Sequence, residues 1–575
     1  MKIKLRQRHV IDGSGRVPEL GAFKPSCTMN RFFSLILSVV VVASTAWAQN
    51  SGLLTGRVVD GATQLALNGV RVSVSGTALE TYTANGGRYT LPSVTNGSQT
   101  VVFSYVGYTD MRLPVAVSGS TRLDAEFGGQ QTIEMDAFVI EGAMVGTARA
   151  INQQRAANTL TNIVASDQIG SFADQNAAEA LQRVPGISLY RDQGEGRYIV
   201  MRGLNFNYTA VEVNGGSFAG ADLGDRATAL DVIPTDALSS IEIIKVPTPD
   251  MDAEGLGGRV NIKTKSPFDS EGTDANFRAQ GQYSALTGEW TPKLNGMFST
   301  RFGDENQFGF LIAPTWQVRD FGSHNIETGG DWGLEDSPGD GNEYYFIERE
   351  RYGVNLALEA RPNDEQYFYL HAGYNSFTDT EDRHRTPIAF GDGDIDALSA
   401  TGATITSEED DGEFEKIFAQ ELRIREKAQE VISLVIGGEQ RMGLWDFAGQ
   451  IGYTTFSYVI NSPYDVQVSQ TAGPSMLDAA SYEFDGLEVA NEIGTEESFD
   501  ITFDARRDLE TVNPAYIKFG GLYRAKEKTS EAEIFELGDG PDYIQSLANA
   551  TIGPNPDFPF LAAPRIDPDV IRRAY

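Results

Sequence analysis

An alternation of apolar and polar side chains, repeated through residues 275–575 in segments of about ten residues, constrains the fold most strongly. In the first segment, one face carries Phe277, Ala279, Gly281 and Tyr283, and the other carries Asn276, Arg278, Gln280 and Gln282. The pattern recurs from Phe308, Tyr352 and Phe368 onward. Because successive side chains of a strand point to opposite faces, the alternation predicts antiparallel strands with one apolar face.

Loop lengths distinguish the two ends of these strands. Residues 303–306 and 361–364 are predicted as tight turns, whereas residues 320–343 and 378–415 are predicted as long acidic loops. A water-soluble β-sandwich has the same period but not loops of such unequal length, so the pattern predicts a transmembrane β-barrel sheet. Strand starts are predicted near residues 276, 294, 308, 344, 365, 416, 446, 498 and 515.

Charge and composition exclude several classes of protein. The 575 residues include 46 basic and 80 acidic side chains, and a net charge of −34 leaves no basic footprint for a nucleic acid. One cysteine, Cys27, excludes a disulfide framework, and four histidines leave little for a zinc cluster. We therefore predict no nucleic-acid partner, no metal site and no cofactor.

The N-terminal region has the features of a secretory signal peptide. A basic start precedes a short apolar run, and small residues stand at Ala46 and Ala48. The alternative is a transmembrane anchor, but the run is short for a membrane span and contains several hydroxyl side chains. We predict that residues 1–48 are an N-terminal extension and signal peptide, cleaved after Ala48, with translation starting at Met1 or Met29.

Two smaller units are predicted next. Residues 51–127 contain short alternating runs separated by glycine and asparagine turns, which predicts a small β-sandwich. This unit is interpreted either as a docking or carbohydrate-binding-like module or as a spacer. Residues 128–150 are predicted as a linker, whose short apolar run suits pairing with the edge of a partner's sheet. The run consists of Asp136, Ala137, Phe138, Val139 and Ile140.

Residues 151–267 mix helical and strand patterns. Asp174 is predicted to cap a helix that contains Leu181 and ends at Pro185. Strands are predicted at residues 187–189, 198–202, 210–213, 241–245 and 259–264.

Glycine-containing motifs in this region carry a specific resemblance. They include Pro185 and Gly186, Arg202 and Gly203, Asn214 and Gly215, and Gly257, Gly258 and Arg259. In this order, and with the intervening run at residues 241–255, they resemble the plug domain of TonB-dependent outer-membrane receptors. The run at residues 249–264 is closest to the branch first described in Xanthomonas and Caulobacter. The runs of residues 51–127 are similar to the carboxypeptidase-regulatory-like domain.

The resemblance implies a mainly β chain with three folded units. They are a small β-sandwich, an α+β plug at residues 151–267 and an incomplete antiparallel transmembrane β-barrel at residues 275–575, with about nine strands of an expected 22. It implies a receptor in the cell outer membrane that imports a small ligand into the periplasm. TonB, and ExbB and ExbD through it, would act on residues 136–140. Arg202 and Arg259 are expected in plug ion pairs or as solvent-facing side chains, and no residue is assigned a catalytic role.

The ligand is predicted to be an oligosaccharide. This branch is often associated with plant or algal oligosaccharides, and Trp332, Tyr344 and Tyr345 are aromatic groups that can stack on sugars or serve as girdle residues. An acidic exterior repels anionic ferric siderophores, within the limits of salt screening. The alternatives are a siderophore- or cobalamin-type receptor, a signal-transducing receptor, and a zinc carboxypeptidase suggested by His324 and Glu327.

About nine strands are too few to close a barrel around a plug of this size. Two open sheet edges in lipid would leave backbone groups unsatisfied, at several kcal/mol each. We therefore expect the 575 residues to be the N-terminal part of a longer receptor, and the alternative is an inactive truncated fragment.

Overall fold

The computed structural model describes most of the chain from residue 51 onward. The described ranges are 4–5, 51–61, 63–128, 143–169, 174–220, 226–252, 254–270, 272–327, 341–386, 395–399, 402–405, 409–410, 413–414, 416–471, 482–509, 515–537, 551–552 and 565–574. The predicted cleavage site at Ala48, the predicted partner-binding run at residues 136–140, and Trp332 lie outside the described residues.

Residues 51–127 form two packed sheets, which confirms the predicted sandwich. The strands are β1 Ser51–Asp60, β2 Arg71–Val74, β3 Glu80–Tyr82, β4 Arg88–Thr95, β5 Gly97–Ser104, β6 Met111–Val117, β7 Ser120–Arg122 and β8 Ala125–Phe127. One sheet has the order β4-β1-β7, with β8 also paired to β1, and the other has the order β3-β2-β5-β6. Their inward-facing side chains form one core, in which Leu54, Val58, Leu91 and Phe103 are fully buried.

Residues 143–264 form the α+β unit. Its helices are α1 Ala143–Ala156, α2 Ser166–Ile169 and α3 Ala177–Leu181. Its strands are β9 Thr161–Ala165, β10 Ile187–Asp192, β11 Glu195–Met201, β12 Thr209–Val213, β13 Gly216–Ser217, β14 Leu238–Ile244 and β15 Gly258–Thr264. Five strands form a mixed sheet in the order β9-β14-β15-β12-β13, and β10 and β11 form a separate hairpin.

The start of α3 corrects one prediction. Asn176, not Asp174, caps this helix, because its side chain accepts a hydrogen bond from the Glu179 backbone N–H at 3.1 Å. Asp174 instead pairs with Arg183, whose Nη1 lies 2.9 Å from a carboxylate oxygen. Asp174, two residues before the cap, therefore binds Arg183 just after the C-terminal end of α3 and does not cap its N-terminus.

Nine long strands of the described residues form one antiparallel sheet in sequence order. They are β16 Thr273–Tyr283, β17 Trp290–Phe302, β18 Phe308–Glu327, β19 Gly341–Asn363, β20 Gln366–Thr386, β21 Lys416–Met442, β22 Trp445–Thr471, β23 Glu483–Leu509 and β24 Ala515–Leu537. Eight of the nine predicted starts agree closely, and the start near 498 is wrong, because β23 begins at Glu483.

Two of the predicted long loops are shorter in the structure, because the adjoining strands extend into them. Residues 320–327 and 378–386, predicted as loop, belong to β18 and β20. The ladder continues there, for example with Asp320 opposite Glu348. Backbone pairing continues where the apolar alternation has ended, so side-chain pattern alone underestimates the strands.

Smaller elements complete the described chain. They are the short strands Lys4–Leu5, Ile395–Ser399, Gly402–Ile405, Glu409–Asp410, Glu413–Phe414, Thr551–Ile552 and Arg565–Ile566, the helix α4 Pro568–Ala574, and 3-10 turns at Asn85–Gly87, Phe206–Tyr208, Thr235–Ala237 and Pro267–Asp269. Within the described residues, no helix has the length and hydropathy needed to cross a membrane.

One face of the long sheet is apolar and exposed. Its side chains include Phe277, Leu358, Ile436, Ile451, Phe503 and Phe519, each with 42–74% of its surface exposed. Alternate residues of the same strands face the opposite side, where Ser299, Arg351 and Ser498 are buried. A contiguous apolar surface of this extent is expected to contact lipid rather than water.

Candidate functional site

The polar face of the sheet holds the α+β unit. Contacts to that unit come from strands at both ends of the sheet, so the inner face curves around it. Four of the pairs are Lys293 on β17 with Asp236 (2.8 Å), Gln317 on β18 with Gln175 (2.5 Å), Asp500 on β23 with the Ser217 N–H (3.2 Å), and Lys518 on β24 with Asp250 (2.7 Å). Apolar side chains of the sheet, including Phe377 and Phe456, also join the core of the unit.

The hairpin of β10 and β11 projects its turn into this inner face. Asp192 and Glu195 are the last paired residues, so Gln193 and Gly194 form a two-residue turn. Both turn residues have positive φ, 49° and 88°, as a twisted two-residue hairpin requires, and glycine adopts such a conformation without steric cost. The turn therefore aims the first residue of β11, Glu195, at the sheet.

Glu195 is buried among three arginines of the sheet. Its carboxylate lies 2.8 Å from Nη1 of Arg349 and 2.5 Å from Nη2 of Arg351, and it also pairs with Arg319. Burial by itself raises the pKa of Glu195, but Arg351, Arg349 and Arg319 outweigh it and hold that pKa well below its usual range. The group is therefore a buried carboxylate anion.

A wider set of charges surrounds this contact. Arg349 also binds Gln193 Oε1 at 2.5 Å and Asp379 at 3.3 Å, so one guanidinium joins the hairpin to two neighbouring strands. The Gln193 amide donates to Glu381, and Glu381 accepts from Arg423 and Arg425, each at 2.8 Å. These residues, with Glu195, Arg319 and Arg351, are called the hairpin cluster. Partners of opposite charge at close range make it a strong, desolvated attachment.

A second attachment involves Asp252 and Glu254. Asp252 pairs with Arg524 on β24, and Glu254 lies 3.1 Å from the same guanidinium. Arg259 pairs with Glu212 inside the unit, and burial together with nearby Arg524 lowers the pKa of Arg259 to about 10. Arg259 thus forms an ion pair within the α+β unit, which is one of its two predicted roles; the other was a solvent-facing side chain.

Other predicted motif residues build the scaffold of the unit. Arg202 donates from Nη2 to the Gly257 carbonyl at 2.8 Å, and its backbone N–H donates to the Gly186 carbonyl at 2.9 Å. Lys245 donates to the Pro185 carbonyl at 2.6 Å. Gly203, at φ 74°, completes the turn after Arg202. Among the described residues Arg202 binds backbone carbonyls instead of a carboxylate, and its side chain is exposed, so it fits the solvent-facing alternative rather than the ion pair.

At the remaining motif positions, the backbone conformation or a close contact determines which residue type fits. Gly258 has φ 140°, and a Cβ there would lie 2.1 Å from Met201 Sδ and 2.8 Å from the Ile244 carbonyl. Asn214 and Gly215 form the turn between β12 and β13, with φ 51° and 80°, and Asn214 binds Thr264 at 3.0 Å. Thus the sequence motifs specify the scaffold and do not form the hairpin cluster.

The hairpin cluster was missed by sequence reasoning. Arg349 and Arg351 do stand two residues apart on β19, so they share a face of the strand. From that spacing, two arginines on the inner face of the strand could have been predicted. The spacing does not indicate that Glu195, which is far away in sequence, would be their partner.

Two family descriptions match the chain. Residues 54–140 match the CarboxypepD_reg-like domain, and residues 153–259 match the TonB-dependent Receptor Plug Domain. No curated protein is significantly similar in sequence.

Solved structures with similarity include two uptake receptors and one transporter, all at low identity. The ferric yersiniabactin uptake receptor FyuA from Yersinia pestis is 11% identical, with 66% of this chain and 62% of that chain covered and a TM-score of 0.33. A mutant of the ferric enterobactin receptor PfeA from Pseudomonas aeruginosa is 11% identical, with 65% and 78% covered and a TM-score of 0.30. The copper transporter OprC is 11% identical, with 67% and 61% covered and a TM-score of 0.31.

The chain spans less than two thirds of FyuA and of OprC. A cohesin–X-dockerin complex from Acetivibrio cellulolyticus is 20% identical over 13% of this chain and 52% of that chain, with a TM-score of 0.12.

The plug match and the lipid-suited face of the long sheet agree on one location, the outer membrane. The matched unit is the one that the inner face of that sheet surrounds. The chain thus contains a CarboxypepD_reg-like domain followed by a TonB-dependent Receptor Plug Domain, and the plug is seated on the inner face of a long antiparallel sheet.

Proposed function

We propose that this protein imports a scarce ligand across the outer membrane by an energy-coupled movement of its plug. The observation that supports this most is the burial of Glu195 among Arg319, Arg349 and Arg351. A plug held by desolvated charges does not leave the inner face spontaneously, because separating such a pair costs several kcal/mol. Moving the plug to open a path for the ligand therefore requires work. The outer membrane has no energy source of its own, so this work has to be supplied from elsewhere.

TonB, with ExbB and ExbD behind it, is the proposed source of this work. The segment that TonB would pair with is residues 136–140, which lie in sequence between β8 of the sandwich and α1 of the plug. An added strand is bound by a row of backbone hydrogen bonds, each individually weak, which together resist a pull along the strand. A pull on this segment would reach the plug through α1.

The proposed ligand is an oligosaccharide. The support is electrostatic, since a chain with net charge −34 repels ferric siderophores that carry strong negative charge. Two of the aromatic residues expected to stack on a sugar do not present their rings, because Tyr344 and Tyr345 are only 5% and 6% exposed. An uncharged, polar ligand therefore has to be recognised by other groups of the extracellular loops.

The test is uptake in cells that carry the full chain, with and without TonB. Val139→Pro removes a backbone N–H needed for strand pairing, and Val139→Ile is the matched control that keeps strand propensity. We expect uptake of labelled oligosaccharides to require TonB, to be lost in Val139→Pro, and to persist in Val139→Ile. Equal uptake with and without TonB would contradict the mechanism, and uptake of a ferric siderophore with no glycan would contradict the ligand.

A further inference from the structure

A cavity of about 320 Å³ lies between the sandwich and the long sheet. Residues of the sandwich line one side of it, and two tight turns of the sheet, between β17 and β18 and between β19 and β20, line the other. Short turns of this kind lie on the periplasmic side of an outer-membrane barrel. The cavity therefore lies at the periplasmic end of the sheet, and its volume is within the range of small-molecule sites.

The charged lining of this cavity is mainly basic. Four arginines of the described residues contribute to it, two from the sandwich and two from the sheet: Arg57, Arg88, Arg301 and Arg361. Three carboxylates lie in the same lining: Glu305, Asp364 and Glu439. Cations collected from separate strands in this way are typical of a site for an anion.

Two of the carboxylates are already engaged with the sandwich. Asp364 pairs with Arg57 at 2.9 Å and, beside the cavity, with Arg122 at 2.6 Å. Glu439 on β21 lies 3.8 Å from Arg88. Because Asp364 is shared between two arginines, these acids do not neutralise the whole set of cations. A surplus of positive charge remains here, although the chain as a whole carries a net charge of −34.

Arg361 is held in the lining by aromatic rings instead of by a carboxylate. Its guanidinium carbon lies 4.4 Å from the centre of the Phe268 ring and 4.8 Å from the centre of the Tyr367 ring. Its Nε is buried without a hydrogen-bond partner, and no carboxylate of the described residues pairs with it. Rings stack on the faces of a guanidinium group, whereas its N–H donors point outward in the plane. The donor edge of Arg361 is therefore available to a ligand.

Arg301 places a second positive charge on the same ring. Its guanidinium carbon lies 4.8 Å from the centre of the Phe268 ring, and the group donates to the Pro267 and Phe268 carbonyls at 3.2 and 3.0 Å. Two guanidinium groups are thus fixed within 5 Å of the centre of one ring. Like charges held this close repel each other, and an anion bound beside both relieves the repulsion.

We propose that this cavity binds a small periplasmic ligand through an oxyanion group, a carboxylate or a phosphate, that accepts paired hydrogen bonds from Arg361. The planar donor edge of a guanidinium group matches two oxygens of such a group. Gln64 of the sandwich and Asn363 of the turn also line the cavity and offer neutral donors and acceptors to the rest of the ligand. The volume equals that of about ten water molecules at roughly 30 Å³ each, which limits the enclosed part of the ligand to a similar number of heavy atoms.

Titration calorimetry of the purified full chain at low ionic strength tests the proposal. Succinate and inorganic phosphate serve as separate probes, and succinamide is the uncharged counterpart of succinate. We expect saturable binding of at least one of the two anions, at one per chain, and weakening of that binding by added salt. The anion that binds more tightly identifies the group that the site recognises. Succinamide should not bind.

Variants of one arginine connect the binding to the cavity. Arg361→Gln should weaken binding of the anion about tenfold, because hydrogen bonds to a charged group are lost. Arg361→Lys keeps the charge without the planar donor edge and should weaken it about threefold. Arg506→Gln is the matched control, since Arg506 at the same end of the sheet also stacks on a tyrosine, 4.2 Å from the centre of the Tyr516 ring, but pairs with Asp508 and lies outside the cavity lining. It should change binding by less than about twofold.

Four results would overturn the proposal. They are the binding of neither anion, binding of succinamide as tight as that of the anions, unchanged binding in Arg361→Gln, and an equal loss in Arg506→Gln. Amide hydrogen exchange of β4 and β20, compared between the variants and the natural chain, separates a lost ligand contact from a disturbed fold. Uptake that depends on TonB is a separate measurement, so failure of this proposal leaves the proposed function untouched, and the reverse also holds.

Discussion

Replacement of Glu195 by glutamine should loosen the plug hairpin from the sheet. The change keeps the size of the side chain but removes the charge that faces Arg349 and Arg351, whose side chains are 1% and 0% exposed. Removing one partner of a buried ion pair costs about 3–5 kcal/mol, and the remaining Asp379 contact of Arg349 favours the lower value. About 3 kcal/mol corresponds to a roughly 100-fold increase in local opening.

Amide hydrogen exchange of β11 in the purified full chain measures this opening. Glu254→Gln is the control, because Glu254 also pairs with a sheet arginine, Arg524, but 44% of its side chain is exposed. An exposed pair contributes about 0.5 kcal/mol, so the control should change exchange of β11 by no more than about twofold. Unchanged exchange in Glu195→Gln, or equal effects of the two variants, would refute the view that the buried charge seats the plug.

Three further predictions concern pH, packing and membrane insertion. Because the folded-state pKa of Glu195 is depressed, its stabilisation is present above the ordinary glutamate pKa of about 4.3 and is lost as the pH falls toward the folded value. Protection of the β11 amides, corrected for intrinsic exchange, should therefore fall below about pH 4 by more in the natural chain than in Glu195→Gln, where Asp192 still titrates. Gly258→Ala should destabilise the plug by about 2–3 kcal/mol in urea unfolding, whereas Gly272→Ala, with φ 60° and open space, should cost only about 1 kcal/mol. Ile501→Lys on the exposed apolar face should lower the outer-membrane fraction, at about 2–4 kcal/mol near the bilayer midplane, while Thr502→Lys on the other face should not.

The strand starts could be predicted from the sequence where contact with lipid requires alternating apolar and polar side chains. Within the apolar band, each strand alternates between lipid and interior, so starts such as 308, 416 and 515 agree with β18, β21 and β24. Beyond the band the lipid rule no longer applies, since Leu487 joins a buried apolar cluster, and β23 begins at Glu483, well before its predicted start. The physical constraint that produces the pattern is absent there, although the backbone ladder continues.

The candidate site was predictable only as a scaffold. Glycines such as Gly258 are visible in a sequence because a close approach forbids any side chain. The pairing of Glu195 with Arg351 depends on how the plug is seated in the sheet, and no local pattern in either segment specifies that seat. Similarly, the contact of Arg122 with Asp364 joins two units that are far apart in sequence.

The most direct test of the account is the reactivity of a thiol at the plug turn in living cells. Gln193 is 7% exposed and bound to Arg349, so Gln193→Cys in the full chain with Cys27→Ser should react slowly with a small maleimide when TonB is absent. Energised cells that contain TonB should label this cysteine faster, because the pull separates the hairpin from its arginines. Equal labelling in the two strains would contradict an energy-coupled movement of the plug.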